Sequence, residues 1–429
     1  MLHKTCSLLA AVSICFVAGC SNDGTGLDND NRAQIIEQRS SKVYEINPSV
    51  TDAQIQTLSA GINSFGLSML GELQGGDGNI MISPYSIAAA LTMVYGGTEG
   101  ELATQMEAVL GMSSLTPDAV HTVHNRLSLD LQARGAGASG REGEGFTLNV
   151  NNALWGDQTQ QFKPGYLDLL SSNYNCGINT VDFINQPEES RVLINKWVED
   201  RTNGKIKDLI AQLSSDTRMV LTNTVYFDAA WATEFDPALT TKEKFKKESD
   251  SVEVDFMKMD GYLPYYESPK LQAVDIPYDG GEIVMTVVLP KGEMGDFLSS
   301  FGPADMAAMD PSLELRTGVR ISIPKFSFTF GTKSLVYDLV NIGMEKLFIL
   351  PLTGVGEGLV VTDVLHKTFV AVDEVGTTAA AATGVIVEVT SMPPVEPVVE
   401  LNANKPFLFM IRDVPSGVIL FLGKVQDPA

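Results

Sequence analysis

The chain has 429 residues, 44% of them apolar, which is enough for one large domain with a sizeable core and too apolar for a disordered polypeptide except at its ends. Its formal charge of −23 excludes the basic surfaces that grip phosphate backbones and anionic membranes, so no nucleic-acid partner is expected.

In chain order, Lys4 and the apolar stretch "LLAAVSICFVAG" (residues 8–19) read as an export signal. "VAGC" (17–20) is similar to a bacterial lipobox, in which the cysteine sulfur takes a diacylglyceryl group and the peptide is cut just before it. A plain secretory signal or a short anchor is the alternative. The stretch is short of the roughly 20 residues that span a bilayer, and the small residues before Cys20 favour lipidation. Ser21 fits sorting to the outer membrane. The expectation is an exported protein, lipid-anchored at the bacterial outer membrane and either periplasmic or surface-exposed. Of the four cysteines, Cys6 and Cys15 leave with the signal and Cys20 becomes the anchor. Cys176 alone remains, so no internal disulfide is expected.

Residues 20–42 read as the lipidated cysteine and a polar tether, which at some twenty residues reaches roughly 25 Å. The folded body is expected from 43 to 429 as one domain. Thr51 and Gln54 fit a helix capping box, followed by Ile55, Leu58, Ile62, Phe65, Met69 and Leu73 at helical spacing. Further helices are expected over 84–95 and 99–110, and "LQARGAGASGREGEG" (131–145) reads as a surface loop. Strands then dominate. "FTLNVNNALW" (146–155), "KFSFTF" (325–330) and "TFVAVDE" (368–374) alternate. "MVLTNTVYF" (219–227), "IVMTVVLP" (283–290), "PFLFMI" (406–411) and "VILFLG" (418–423) are near-continuous apolar runs, as in strands buried on both faces. Helical patterns at 188–201 and 334–343 lie between. The fold class is α+β, with helices concentrated early and sheets late.

Catalytic constellations are missing. There is no G-x-S-x-G, H-E-x-x-H, G-x-x-x-x-G-K-[ST] or paired C-x-x-C. "GVGEG" (354–358) reads as a loop rather than a phosphate cradle. His121 and His124 stand three apart on a helix but lack a third ligand at a recognised spacing, so they read as two solvated histidines, with no metal.

"DEVGTTAAAATG" (373–384) is a dozen residues with almost no bulk. Gly376 relaxes the backbone, and from Thr377 onward the alternate residues Thr377, Ala379, Ala381, Thr383, Val385 and Val387 are small or β-branched and uncharged. Thr378, Ala380, Ala382 and Gly384 fall on the other face. No proline interrupts before Pro393, so the segment is suited to join an existing sheet.

"VDEVGTTAAAATG" (372–384) resembles the reactive-loop hinge of the serpins. "NIMISPYSIAAAL" (79–91), "YGGTEGELATQM" (95–106), "WVEDRTNGKIKDLI" (197–210), "LTNTVYFDAAWATEF" (221–235), "ISIPKFSF" (321–328), "HKTFVAVDE" (366–374) and "NANKPFLFMIRD" (402–413) match further blocks in that family's order. The resemblance implies the serpin fold, helices packed around three β-sheets with an exposed reactive loop at about 374–397. It implies a suicide-substrate inhibitor with no catalytic residues of its own. A target serine protease, or in some cases a cysteine protease, cuts the loop, and the cut loop enters the main sheet before the acyl-enzyme is hydrolysed, leaving a covalent 1:1 complex. From Thr377 to Thr390 an inserted strand would span roughly 43 Å. Its hydrogen bonds are worth on the order of 10 kcal/mol.

The hinge is then Glu374, Gly376, Thr377, Thr378, Ala379, Ala380, Ala381, Ala382 and Thr383. In that family the hinge position that Gly376 matches is the fifteenth before the cut, so the resemblance implies a reactive bond at Thr390–Ser391, with Val389 and Met392 as neighbouring alternatives. Thr390 suits elastase-like or subtilisin-like pockets. Ser83, Ser86, Asn223 and His366 match the polar "shutter" beneath the sheet, and Trp231 matches the "breach" where the loop first enters. Val375 and Thr378 stand where many members carry glutamate. No cofactor or metal is implied, and a monomer is expected. The alternative is a non-inhibitory binding or carrier protein on the same fold.

Overall fold

A computed structural model describes residues 33–75, 78–136, 138, 147–309, 314–315, 318–377 and 399–429. Residues 33–429 form one compact unit. The helix Asp52–Leu73 starts as its sequence directs. The Thr51 side chain accepts from the Gln54 N–H, and the Gln54 side chain reaches back to the Thr51 N–H at 2.9 Å. All six residues of the expected stripe, Ile55 to Leu73, are buried. The helices Pro84–Tyr95 and Gly100–Val109 follow where expected, and Pro84–Tyr95 is buried along its whole length. Among the described residues no helix is long and apolar enough to cross a membrane.

The strands make three sheets. The main sheet runs Ile36–Gln38, Ile178–Val181, Thr147–Asp157, Met219–Ala230, Gly376–Thr377, Asp363–Val372, Phe326–Ser334. A second seven-stranded sheet carries the apolar runs Ile283–Pro290, Phe407–Asp413 and Ile419–Val425 side by side, and each of these strands is buried throughout. Burial on both faces is why these segments read as continuous rather than alternating. The third sheet orders Val399–Asn402, Val319–Pro324, Ser251–Gly261, Thr241–Lys246.

Opposite faces of the main sheet meet different partners because neighbouring residues of a strand point opposite ways. Ala153, Trp155, Val220 and Leu365 pack with Ile194 and Val198 of the helix Pro187–Arg201, and Trp155 meets Trp197 edge-on at 5.3 Å. Asn152 and Asn223, on the other face, turn to the helix Pro84–Tyr95.

Two expectations need correcting. The tether expected over 20–42 contains a strand: Ile36–Gln38 pairs antiparallel with Ile178–Val181, with Ile36 opposite Thr180. A three-residue edge strand among polar neighbours has too few apolar positions to show a period. His121 and His124 are not solvated. They are only 5% and 2% exposed, because the helix Pro117–Ala133 turns a broad face inward with Val120, Val123 and Leu127. The His121 ring lies 2.8 Å from the Tyr174 hydroxyl and His124 lies 3.0 Å from Thr92 Oγ1, so hydrogen bonds rather than water satisfy them. Among the described residues no cluster of three metal-ligating side chains occurs.

The "GVGEG" segment is a loop, and its first two glycines, Gly354 and Gly356, allow close packing. A Cβ on Gly354 would lie 2.8 Å from the Gly97 carbonyl oxygen, and the Gly354 N–H donates to that oxygen at 2.9 Å.

Candidate functional site: the parted main sheet and its polar support

The site is set by sheet register. Met219–Ala230 and Asp363–Val372 run parallel and pair directly from Val220↔Asp363 to Val225↔Thr368. Beyond that point Gly376–Thr377 stands between them. Gly376 pairs with Ala230, and Thr377 pairs with Ala229 on one side and Val372 on the other. The sheet is closed at one end and split at the other, with the first two residues of a new antiparallel strand already in the split.

The turn that brings them there is local chemistry. Asp373 Oδ1 accepts from the N–H groups of Val375 at 3.0 Å and Gly376 at 3.1 Å, and the Asp373 N–H donates to the Gly376 carbonyl. Gly376 is required by contact. A Cβ there would lie 2.2 Å from the Ala229 carbonyl oxygen and 2.8 Å from the Ala230 Cα, backbone atoms of the neighbouring strand that cannot swing aside.

Trp231 holds the mouth. Its N–H donates to the Val375 carbonyl at 2.8 Å, and its indole Nε1–H donates to the Asp373 carbonyl at 2.9 Å. The ring stacks on Tyr278 at 4.5 Å, and the Tyr278 hydroxyl lies 2.6 Å from Thr377 Oγ1. Burial raises the Tyr278 phenol well above its ordinary value, so it stays neutral. Glu374 is anchored outside by Lys325 at 2.8 Å and by Thr240 Oγ1 at 2.9 Å. Burial pushes its carboxyl up, but the bonds from Lys325, its own backbone and Thr240 outweigh this and hold it below the ordinary range.

Deeper in the same sheet, Asn152, Asn223 and His366 fall in one row across three strands. The N-terminal turn of the helix Pro84–Tyr95 faces them. Ser83 caps that helix, accepting from the Ser86 N–H at 3.2 Å and donating to the Leu420 carbonyl at 2.6 Å. Ser86 Oγ donates to Asn152 Oδ1 at 2.9 Å and accepts from Asn223 Nδ2 at 2.5 Å. Asn223 Nδ2 also donates to Asn152 Oδ1 at 2.6 Å, and Asn152 Nδ2 returns to the Ser86 carbonyl at 3.0 Å.

His366 closes the circuit. Nδ1 lies 2.6 Å from Asn223 Oδ1, and Nε2 lies 3.4 Å from the Ser83 N–H. The neutral ring with its proton on Nδ1 satisfies both contacts, since Asn223 Oδ1 can only accept and Ser83 N–H can only donate. Complete burial lowers the His366 pKa to about 3. A fully buried ring held neutral, with both nitrogens committed to Asn223 and Ser83, is a structural member of this circuit.

Ser83, Ser86, Asn223 and His366 are thus brought together, as are Trp231, Glu374, Gly376 and Thr377. Sequence reading missed Asn152, Tyr278, Lys325 and Thr240. Asn152 was legible only as one of several polar residues in an alternating strand, and Tyr278 reaches Trp231 through a long-range bridge. Cys20, the hinge residues Thr378 to Thr383, and Val389, Thr390, Ser391 and Met392 lie outside the described residues.

Comparisons with known proteins agree with this architecture. The family model described as "Serpin (serine protease inhibitor)" matches residues 60–428. An uncharacterized serpin-like protein of Thermococcus kodakarensis is 34% identical over 98% of this chain and 98% of its own. The leukocyte elastase inhibitor of Bos taurus is 33% identical over 82% of this chain and 93% of its own. The crystal structure of the thermophilic serpin tengpin in its native state superposes with a TM-score of 0.79, at 24% identity, over 92% of this chain and 100% of that one. With the three-sheet fold, the parted main sheet and a family match over most of its length, the chain belongs to the serpins, a family of protease inhibitors rather than catalysts.

Proposed function

We propose that this serpin inhibits serine proteases as a suicide substrate, with elastase-like or subtilisin-like enzymes as targets. The observation that carries the reading is the strand Gly376–Thr377, paired with Ala230 and Ala229 on one side and, through Thr377, with Val372 on the other, in line with a following sequence (378–387) that is small or β-branched and uncharged. In this reading the protease serine attacks the Thr390 carbonyl. The Thr390–Ser391 amide breaks, the Ser391 amine takes a proton and leaves, and the chain ending at Thr390 stays bound as an ester. The freed loop then continues the strand that Thr377 begins. Insertion gives up the parallel ladder from Val220↔Asp363 to Val225↔Thr368 and builds an antiparallel ladder on each side of the new strand, so more bonds form than break.

Thr390 and the similarity to a leukocyte elastase inhibitor support the choice of protease. A cysteine protease would be trapped by the same steps through a thioester. The hinge residues Thr378 to Thr383 would supply the inward and outward faces of the new strand. The Ser83, Ser86, Asn152, Asn223 and His366 circuit would part and re-form as the strand passes.

The test mixes the protein with an elastase-like and a subtilisin-like protease and resolves the products on denaturing gels. A stable band at the summed masses, with a released peptide beginning at Ser391, is expected. Clean cleavage with the protease still active would assign a binding or carrier protein instead. We also propose that Cys20 carries the lipid that holds the protein at the outer membrane. Metabolic palmitate labelling of the wild type, lost in Cys20→Ala, is the expected result.

A further inference from the structure

The main-sheet strand Thr147–Asp157 is covered unequally along its two edges. On the inner edge it pairs with Met219–Ala230 from Thr147↔Asp228 to Gly156↔Met219. On the outer edge its pairing with Ile178–Val181 covers only Trp155 to Asp157. Among the described residues no strand pairs with the outer edge of 147–154. Alternate residues of that stretch therefore point N–H and C=O groups away from the sheet.

A cavity of about 440 Å³ lies against this open edge. Its other walls come from the helices Pro84–Tyr95, Pro117–Ala133 and Pro164–Tyr174, and from Tyr44 in the segment before the first helix. Leu148 and Val150 face it with side chains. Asn151 meets it with main chain, since its amide turns to the opposite face and donates to the Arg201 carbonyl at 3.2 Å.

Charge is missing from these walls. None of the seventeen lining residues is Asp, Glu, Lys or Arg, although these make up 19% of the chain. Burial keeps His124 and Cys176 neutral, lowering the pKa of the one and raising that of the other. Polar groups are plentiful. Gln132 gives its Nε2 to Ser128 Oγ at 3.1 Å, Asn173 gives its Nδ2 to the Leu169 carbonyl at 3.1 Å, and Asn175 Oδ1 accepts from Arg39. Gln132 Oε1, Asn173 Oδ1 and Asn175 Nδ2 have no further hydrogen bond among the described residues, and none of the three side chains is buried. Tyr44 turns toward the cavity while Val43 and Ile46 beside it are 85% and 67% exposed.

An ion would lose its water here and find no counter-charge. A purely apolar molecule would leave the amides and the strand edge unmatched. A hydroxyl both donates and accepts, so a ring bearing several matches both kinds of group, and its C–H face can lie on Tyr44, Leu148 and Val150. The volume falls in the lower part of the small-molecule range, roughly 300–1,000 Å³, which suits one or two such rings.

We infer that this cavity binds a small neutral carbohydrate of one or two rings. Gln132 Oε1 and Asn173 Oδ1 accept from its hydroxyls, Asn175 Nδ2 donates to them, and Tyr44 covers its C–H face. None of these four residues belongs to the split in the main sheet or to its polar support, so the inference stands independently of the inhibitory reading.

The test is a methyl NMR titration of the full-length protein with maltose and with glucose, without protease. Saturable shifts at concentrations on the order of millimolar are expected at Met93, Leu131, Leu148 and Val150. Tyr44→Ala should weaken binding about tenfold, and Gln132→Ala and Asn173→Ala about threefold each. The two amide changes lie on helix surfaces, so they decide the matter even if Tyr44→Ala loosens the segment around it. Glucuronate and glucosamine should bind at least about tenfold more weakly than glucose. No saturable shift with either sugar, shifts centred elsewhere, or binding indifferent to all three variants would overturn the site. Cyclohexanol or glucuronate binding as tightly as glucose would overturn the neutral carbohydrate as its ligand. A blocked trialanine peptide binding more tightly than maltose would overturn it too, and would assign the open edge to a peptide strand.

Discussion

Tyr278 and Thr377, ninety-nine residues apart, meet hydroxyl to hydroxyl at 2.6 Å in a fully buried contact. Tyr278 directly follows the strand Leu271–Pro277 of the second sheet and Thr377 lies in the short strand within the split of the main sheet, so one hydrogen bond ties that strand to the aromatic stack with Trp231. Tyr278→Phe keeps the stack and leaves Thr377 Oγ1 buried without that partner. The expected cost is about 1–3 kcal/mol at the mouth of the sheet. It should appear as faster proteolysis of the loop at 25 °C and a lower thermal midpoint. Equal proteolysis rates in variant and wild type would remove this bond from the account.

Gly376→Val tests whether the first two residues must sit in the sheet. Its Cβ would meet the Ala229 carbonyl and the Ala230 backbone, so the hinge has to leave the split rather than adjust. The protein is expected to fold, with a thermal midpoint within a few degrees of wild type, since only two residues lose their ladder. Covalent complex should give way to cleaved, released product on gels. Retention of the full complex yield would contradict the role given to Gly376.

Acid should destabilise the fold in a defined window. Burial lowers His366 and His124 to about 3 and His121 to about 4, each from an ordinary value near 6.5. An unfolded chain therefore binds more protons than the folded one between those limits. The stability from the three neutral rings is fully present above pH 6.5 and is lost as pH falls toward 3–4, by up to about 1.4 kcal/mol per pH unit for each ring. Urea melts from pH 8 to pH 4 should show this fall. His124→Leu, which removes one titrating ring from a buried site, should make the acid limb shallower by one ring's share. A limb of unchanged slope would mean that His124 does not titrate on unfolding.

Asn152 and Asn223 should behave as one unit. Both amides meet Ser86 Oγ, and Asn223 alone holds His366 Nδ1. Either change to Ala leaves buried groups unmatched, and the larger loss is expected for Asn223. The double variant should cost less than the sum of the singles by at least about 0.5 kcal/mol, because the second change removes partners already orphaned by the first. Strict additivity in chemical melts would break the circuit into separate bonds.

Much of the architecture was legible in the one-dimensional pattern. The first helix, its Thr51–Gln54 cap and its inward stripe follow from spacing alone. So do the buried strands Ile283–Pro290, Phe407–Asp413 and Ile419–Val425, whose apolar runs suit only a layer covered on both sides. The grouping of Ser83, Ser86, Asn223 and His366, and of Trp231 with the hinge, was reached through family resemblance and not through spacing. Polar residues so far apart in sequence carry no periodic signal of their own.

Composition and periodicity by themselves determined the fold class, the core faces of the long elements and a segment between 373 and 390 suited to join a sheet. Those properties are local, set by the alternation of a strand and the turn of a helix. Tertiary structure alone decided that His121 and His124 are buried, that Ile36–Gln38 is an edge strand, and that Asn152, Tyr278 and Lys325 belong to the site. It also decided where the main sheet stops being closed. That point, between the Val225↔Thr368 pair and Thr377, depends on which strands lie side by side and in which register, and register is a relation between distant segments that neither segment encodes alone.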